Sequence, residues 1–391
     1  MNINIIILGA SGDLSKKKIL PACIELVKSY RNDIKMIENN TKILIHPWSR
    51  KEFIDLAIFK DLESMNALGE IIVGDYNDTE ILENILISNI DSKNIFYLSI
   101  PPIANFNFIE MISKINSRNF EIIIEKPYTS NQIELNKIIN LMIKHNLQDS
   151  INFLDHYLFK DTYQFTPSVK LFLDGTVNTN DKDTISINKK DHTGNNKITN
   201  FKLQNTIKTI NIQILESIDI ANRIEYYDQN GCIRDMFFHL YSLLIGISKE
   251  LNFDLNLEIL NITKGQYKPY SNQIKKESKT ETAFQVTFRS NSTIITLSSG
   301  KLMSEKLTTV NLTYANSEQL TWNIHPLGNI EYSSTETSSS INILNNHSDH
   351  YNIFNSVINN KKDNFLKPED VLKGWKILDE MLNLPATIII Y

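Results

Sequence analysis

A few short segments of this chain have residue types and spacings suited to chemistry. The apolar run Ile5–Leu8 leads into Gly9-Ala10-Ser11-Gly12-Asp13-Leu14, and Lys16-Lys17-Lys18 follow. A small-residue turn between a strand and a helix can bring backbone N–H groups and a helix N-terminus against a phosphate. On its own a GxxG turn is a weak signal. The next apolar run ends as Ile45-His46-Pro47-Trp48-Ser49-Arg50-Lys51, with no acid before Glu52. Sites for NAD commonly carry an acid there to hold the ribose 2′-OH. A guanidinium at Arg50 suits a 2′-phosphate instead, which favours NADP with NAD as the alternative. The bland reading of Arg50 and Lys51 is two solvated loop charges. Lys126 closes the strand-like Ile122-Ile123-Ile124-Glu125, a natural donor to a sugar hydroxyl or phosphate, and Pro127 is a candidate for a cis bond that aims it. In Asp155-His156-Tyr157-Leu158-Phe159-Lys160, the His, Tyr and Lys can gather a phosphate dianion. Asp155 can orient a catalytic imidazole brought from elsewhere. A plain surface turn is the alternative.

Such groups need a scaffold, and the flanking patterns describe one. Candidate strands at Asn4–Leu8, Lys42–Ile45, Glu70–Val73, Asn94–Ile100, Glu121–Ile124 and Ser150–Leu154 alternate with helical patterns such as Ile81–Leu86 and Ile133–His145. That alternation predicts a Rossmann-type doubly wound parallel sheet over residues 1–155. From 156 to 391 the texture changes to an α+β domain with a large, mainly antiparallel sheet. Its strands are expected at Thr206–Leu215, Ala283–Arg289, Thr293–Leu297, Leu307–Tyr314 and Leu320–Ile324. Helices are expected at Asp235–Lys249, His350–Ile358 and Pro368–Leu382, with polar loops at 176–200 and Ser333–Ser340.

Bulk properties exclude several classes. A length of 391 residues favours two domains, and 41% hydrophobic with 22% charged residues is ordinary for a globular chain. A net charge of −5 favours neither a nucleic-acid nor an anionic membrane partner. Two cysteines, Cys23 and Cys232, offer no disulfide framework and no zinc spacing, as expected of a cytoplasmic protein without a metal. The N-terminal apolar run is too short for a signal peptide, and no stretch reaches the roughly 18 residues of a membrane span.

In sequence the chain resembles the glucose-6-phosphate dehydrogenase family. The resemblance rests on the GASGDL turn with its lysines, Phe96-Tyr97-Leu98 before Pro101-Pro102, Glu125-Lys126-Pro127, and Asp155-His156-Tyr157-Leu158 before Lys160. It continues through Glu216, Tyr226-Tyr227-Asp228, Ile233-Arg234-Asp235, Gly300-Lys301 with Lys306, and the closing Asn364-Phe365, Pro368-Glu369-Asp370 and Trp375. It implies NADP-dependent oxidation of a hexose 6-phosphate at C1 to the 6-phospholactone, with glucose 6-phosphate as the default substrate. It implies roles as well. His239 would be the general base and Asp155 its hydrogen-bond partner. His156, Tyr157, Lys160, Lys301 and Lys306 would bind the phosphate. Lys126, Glu216 and Asp235 would hold sugar hydroxyls. Gly9, Ala10, Ser11, Gly12, Asp13, Leu14, Arg50 and Lys126 would contact the cofactor. The family's C-terminal sheet implies a homodimer.

Departures from the family pattern sharpen the expectations. His239 lies four residues after Asp235 where the family has five, and on a helix one residue turns a side chain by roughly 100°. Phe159 replaces a glycine and is expected to crowd the phosphate pocket. The stretch from His239 to Lys301 is shorter than is usual for the family. Two rivals follow: a dehydrogenase of another sugar phosphate, such as glucosamine 6-phosphate, and a non-catalytic binding homologue.

Overall fold

Strand β1, Asn2–Leu8, is buried along all but its first residue, as a run of isoleucines must be when helices cover both faces of a parallel sheet. Five further strands pair in parallel with it or with its neighbours: β2 Lys42–Ser49, β3 Ile72–Val73, β4 Lys93–Leu98, β5 Phe120–Glu125 and β6 Ile151–Leu154. Their order is β3-β2-β1-β4-β5-β6. Strand order reverses beside β1, so the crevice above the carboxyl ends of β1 and β4 is the switch point where such sheets bind ligands. The computed structural model describes residues 2–33, 38, 41–53, 57–115, 119–164, 185–190, 206–220, 224–251, 253–267, 280–335, 338–343, 346–386 and 388–391.

All six expected strands form. The second is longer than its apolar run, continuing to Ser49. The third shrinks to Ile72–Val73, an edge strand between Gly69 and Gly74. Helices α1 Leu20–Asn32, α2 Lys60–Ser64, α3 Thr79–Ser88, α4 Pro102–Ser113 and α5 Gln132–Lys144 lie between the strands. Asp78 caps α3 by accepting from the amides of Glu80 and Ile81, and Asn131 caps α5 by accepting from that of Glu134. Before α1 the backbone winds as a π-turn over Ser15–Ile19, with the Leu20 amide reaching Ser15 O. Pro21 explains it: its ring collides with an ordinary helical turn before it and it donates no N–H, so a wider turn relieves both.

The second unit, residues 160–347 with 376–391, is built around one ten-stranded sheet. It holds α6 Asp161–Gln164, α7 Ile224–Glu250, and strands β7 Ile185–Lys190, β8 Ile207–Leu215, β9 Glu258–Gln266, β10 Ala283–Ser290, β11 Thr293–Gly300, β12 Leu307–Tyr314, β13 Gln319–His325, β14 Asn329–Ser333, β15 Ser338–Ile343 and β16 Ile388–Ile390. Their order is β16-β9-β10-β11-β8-β12-β13-β14-β15-β7. The pairs are antiparallel except β11–β8 and β16–β9. Burial alternates along β8 and β12, so one face of the sheet is covered and the other more open. Helix α7 packs on β8, β10 and β11, and its Phe237, Leu240, Leu243 and Leu244 are buried.

Several expectations are corrected here. Ser333–Ser340 is not a loop throughout: Ser333 ends β14 and Ser338 begins β15, because main-chain pairing does not need apolar side chains. The polar stretch 176–200 contains β7 at 185–190, and its other residues lie outside the described ones. Strand β9 was hidden by its Asn261, Lys264 and Gly265. The helix expected from Asp235 begins at Ile224 and breaks at Gly231, whose φ is 67°.

The chain then returns. Helix α8, Asp349–Ile358, belongs with residues 1–159, whereas a simple cut at 155 leaves it in the second domain. Helix α9, Pro368–Asn383, follows. Lys93 donates to Val357 O at 2.6 Å and to Asn360 Oδ1 at 2.7 Å, placing a cation at the C-terminus of α8.

Candidate active site

In the first unit the turn after β1 has the build of a phosphate cradle. Gly9 has φ +81°, a left-handed conformation costly for other residues, and a Cβ there would collide with Ser99 O. The amides of Gly9 and Ala10 both donate to Trp48 O, at 3.0 and 3.1 Å. Those of Gly12 and Lys16 continue the turn to Gly9 O and Gly12 O, and Ser15 Oγ also donates to Gly9 O. Ser11 Oγ lies 2.9 Å from Ser49 Oγ, tying the turn to the end of β2. Helical backbone starts at Asp13, so the first unsatisfied N–H groups of the helix come at Asp13 and Leu14. Asp13 itself pairs with Lys17 in solvent, a contact of little energetic weight. The Arg50 guanidinium sits 5.7 Å from the centre of the Tyr76 ring. Burial raises the Tyr76 hydroxyl's pKa, opposed by the Arg50 charge and by the Gly9 and Arg50 backbone. These residues fit a dinucleotide: a glycine that only glycine can be, an open helix start, and a cation on an aromatic ring at the end of β2. Tyr76 was not singled out from sequence; nothing local marks it.

Parallel register brings the ends of β4, β5 and β6 to the same edge. The Lys126–Pro127 bond is cis, as the sequence suggested. Asp155 is fully buried; its Oδ1 accepts from the Tyr157 amide at 3.0 Å and its carbonyl from Leu158 N at 3.1 Å. It therefore caps the 3-10 turn His156–Phe159. The His156 and Tyr157 rings are 4.9 Å apart. Phe159 corrects an expectation: its ring is fully buried 4.7 Å from that of Phe365, and Asn352 Nδ2 holds its carbonyl. An apolar side chain finds the core rather than a phosphate pocket.

Behind these residues lies a buried polar chain that sequence reasoning missed. Tyr97 donates to Glu125 Oε1, and His350 lies between Asp349 and Glu125. Its residues are 28 and 225 positions apart along the chain, so no local pattern could reveal it.

In the second unit, β8 and β11 run parallel with Leu215 opposite Gly300, which sets Glu216 beside Lys301. The Lys301 ammonium donates to Glu216 Oε2 and lies 3.1 Å from Asp235 Oδ2. Tyr227 Oη donates to the same Asp235 oxygen at 2.7 Å, and its ring lies 5.6 Å from the Lys301 nitrogen. Burial alone would lower the Lys301 pKa, but the charges of Asp235 and Glu216 raise it overall. Lys301 was expected to bind phosphate. The structure assigns its ammonium to two carboxylates in a pocket where its side chain is 3% exposed. Glu216, with 30% of its side chain exposed, is the open member of the trio.

Past Gly231 the helix is continuous, and Glu281 Oε1 accepts from the Ile233 amide at 3.1 Å near its start. Asp235 and His239 are therefore one turn apart on the same face, both nearly buried. Lys160 and Lys306 both act electrostatically on His325, whose pKa burial lowers first and their charges lower further. His325 lies within electrostatic reach of these two lysines; the run of polar and apolar residues in β13 gave it no distinction.

Residues 6–165 match a family described as "Glucose-6-phosphate dehydrogenase, NAD binding domain", and residues 192–268 match its C-terminal domain. A glucose-6-phosphate 1-dehydrogenase of Borreliella burgdorferi is 26% identical over 295 residues, covering 71% of this chain and 55% of that protein. One from Buchnera aphidicola is 29% identical over 269 residues, covering 63% and 49%. The matched region spans about half the length of these relatives. Among solved structures, glucose-6-phosphate 1-dehydrogenase from Mycobacterium avium superposes with a TM-score of 0.71 at 18% identity, covering 100% of this chain and 93% of that one. A glucose-6-phosphate dehydrogenase in complex with its substrate gives 0.69 at 18% identity, covering 100% and 94%. These likenesses concern the fold. Among the described residues no helix is long and apolar enough to cross a membrane.

Proposed function

This chain belongs to the glucose-6-phosphate dehydrogenase family, and we propose that it oxidises C1 of a hexose 6-phosphate to the 6-phospholactone, with glucose 6-phosphate the default substrate. One observation carries the reading. Asp235 and His239 share one face of α7, and Asp235 is held by Tyr227 and Lys301. A carboxylate so fixed can accept a sugar hydroxyl beside an imidazole that can accept a proton.

His239 removes the C1 hydroxyl proton as the C1 hydrogen departs as hydride. When bound, the nicotinamide supplies the hydride acceptor. Asp155 orients the imidazole and stabilises its charged form. Glu216, Asp235 and Lys126 hold sugar hydroxyls, and His156, Tyr157, Lys160 and Lys306 hold the phosphate, with His325 as an added member. Lys301 is the counter-cation of Glu216 and Asp235. The Gly9–Leu14 turn holds the dinucleotide pyrophosphate, and Arg50 on Tyr76, with no acid at the end of β2, supports NADP over NAD. A homodimer through the C-terminal sheet and a cytoplasmic location complete the reading; both cysteines are buried free thiols, which fits a reducing compartment.

The rival substrate, such as glucosamine 6-phosphate, loses one argument because Phe159 is a core residue. The four-residue spacing sets His239 on the face of Asp235, about 100° from where a five-residue spacing would turn it, so the non-catalytic reading keeps its argument and the His239→Asn comparison decides between the two. Nicotinamide reduction is followed by absorbance with both sugars and both cofactors, for the parent and His239→Asn. The expected result is reduction of NADP with glucose 6-phosphate by the parent and loss of at least about a hundredfold in the variant. A parent inert with every hexose phosphate, or a variant as fast as the parent, overturns the reading.

A further inference from the structure

The network around His350 does more than fill the core. Its side chain is 3% exposed, with Nδ1 2.9 Å from Asp349 Oδ1 and Nε2 3.5 Å from Glu125 Oε1. Asp349 Oδ1 also accepts from the His350 amide at 3.0 Å, which pins that carboxylate at the start of α8. Tyr97 Oη donates to Glu125 Oε1. The His350 ring lies 6.1 Å from that of Tyr97 and 6.2 Å from that of His156, inclined at 33° and 27°. Glu125 immediately precedes Lys126. The nearby titratable groups of other elements include Cys23 on α1, Tyr128 after β5 and the fully buried Asp155 beside His156; burial pushes the thiol and the phenol upward, so both stay neutral.

Without His350 this cluster carries two negative charges, and with its ring cationic one remains. Asp349 and Glu125 are two carboxylates behind His156, and a hydroxyl donor such as Tyr97 carries no charge. Two buried like charges facing the place where a dianion binds repel it. Burial lowers the pKa of His350, yet hydrogen bonds and charges of Asp349 and Glu125 raise it to about 9. Burial raises that of Glu125, and His350, His156 and Tyr97 together bring it below its ordinary value.

We propose that His350 is a positioning residue for phosphate recognition: its cationic ring, held between Asp349 and Glu125 and packed near His156, halves the negative charge of two buried carboxylates that would otherwise repel the substrate phosphate more strongly. This rests on the proposed assignment of His156 to the phosphate.

The test is charge rescue, read as glucose 6-phosphate affinity by calorimetry and as KM against kcat. In His350→Gln the amide can still donate to a carboxylate but carries no charge. Affinity for glucose 6-phosphate falls about a hundredfold, the effect of one unit charge on a dianion at roughly 10 Å in an effective dielectric of about 25. The kcat and the affinity for NADP stay within about twofold of the parent. Adding Asp349→Asn to that variant restores the parent's net charge and recovers most of the loss, whereas a merely structural role makes the double variant worse. Asp349→Asn alone removes a negative charge and binds glucose 6-phosphate as tightly as the parent or tighter, so the inference is tested even if His350→Gln fails to fold. Equal affinity in His350→Gln, a double variant without recovery, or weaker binding by Asp349→Asn overturns it. A parent that binds no glucose 6-phosphate overturns the proposed function, and this inference with it.

Discussion

Replacing Lys301 by methionine separates two accounts of that residue. If Lys301 is the counter-cation of Glu216 and Asp235, the variant retains most of the buried volume but leaves two carboxylates beside each other with no cation between them. At 3.1 Å and an effective dielectric of about 20, the Asp235 pair alone is worth roughly 5 kcal/mol of Coulomb attraction. Part of this is offset because the variant no longer buries an ammonium. The Glu216 contribution is discounted because its side chain is 30% exposed. A net loss of about 3 kcal/mol at pH 7 remains, within the range for breaking one side of a buried ion pair. The loss has a pH signature. Without the ammonium, two like charges share a site and the folded pKa of one carboxylate rises above its unfolded value. A raised carboxylate pKa destabilises the fold as pH rises through it, so the deficit shrinks toward pH 4 to 5. Urea unfolding followed by circular dichroism at pH 7 and pH 5 measures both effects. Adding Asp235→Asn relieves the repulsion and recovers part of the loss at pH 7. If Lys301→Met stays within about 1 kcal/mol of the parent at pH 7, or shows the same deficit at both pH values, the ion-pair account is wrong. A stable variant with a raised KM for the sugar phosphate would return Lys301 to the phosphate.

Three further outcomes are expected. Gly9→Ala places a Cβ against Ser99 O at positive φ; it costs about 2–4 kcal/mol in urea unfolding and at least about tenfold in NADPH affinity by fluorescence titration, and parent-like values in both would dismiss the cradle. Arg50→Ala weakens NADP by about tenfold or more and NAD much less, so an unchanged ratio of the two KM values argues for a solvated loop charge. His350, with a folded pKa of about 9 against 6.5 unfolded, contributes stability that is complete below pH 6.5 and lost as pH rises through 9. That loss, about 3 kcal/mol in the parent, is absent from His350→Gln in pH-dependent urea unfolding; parallel curves for the two proteins would contradict it.

The sequence by itself determined whatever depends on neighbours along the chain. Continuous apolar runs such as Ile5–Leu8 and Ile122–Ile124 announce buried parallel strands, because both faces of such strands need apolar side chains. The Gly9–Leu14 turn, the Lys126–Pro127 bond and the Asp155 turn were readable because each is local. Strands β9 and β15 were not, since polar side chains on an open sheet face leave main-chain pairing intact while erasing the apolar pattern. The destination of a side chain was equally hidden. Lys301 reads as a free cation until β8 and α7 bring Glu216 and Asp235 to it. Phe159 reads as an intruder in a pocket until Phe365, 206 residues later, covers it. His350 stands in an unremarkable helix until the return of the chain sets it against Glu125. Tertiary structure decided these because the energy of a buried charge or ring is set by what surrounds it, and here the surroundings come from distant parts of the chain.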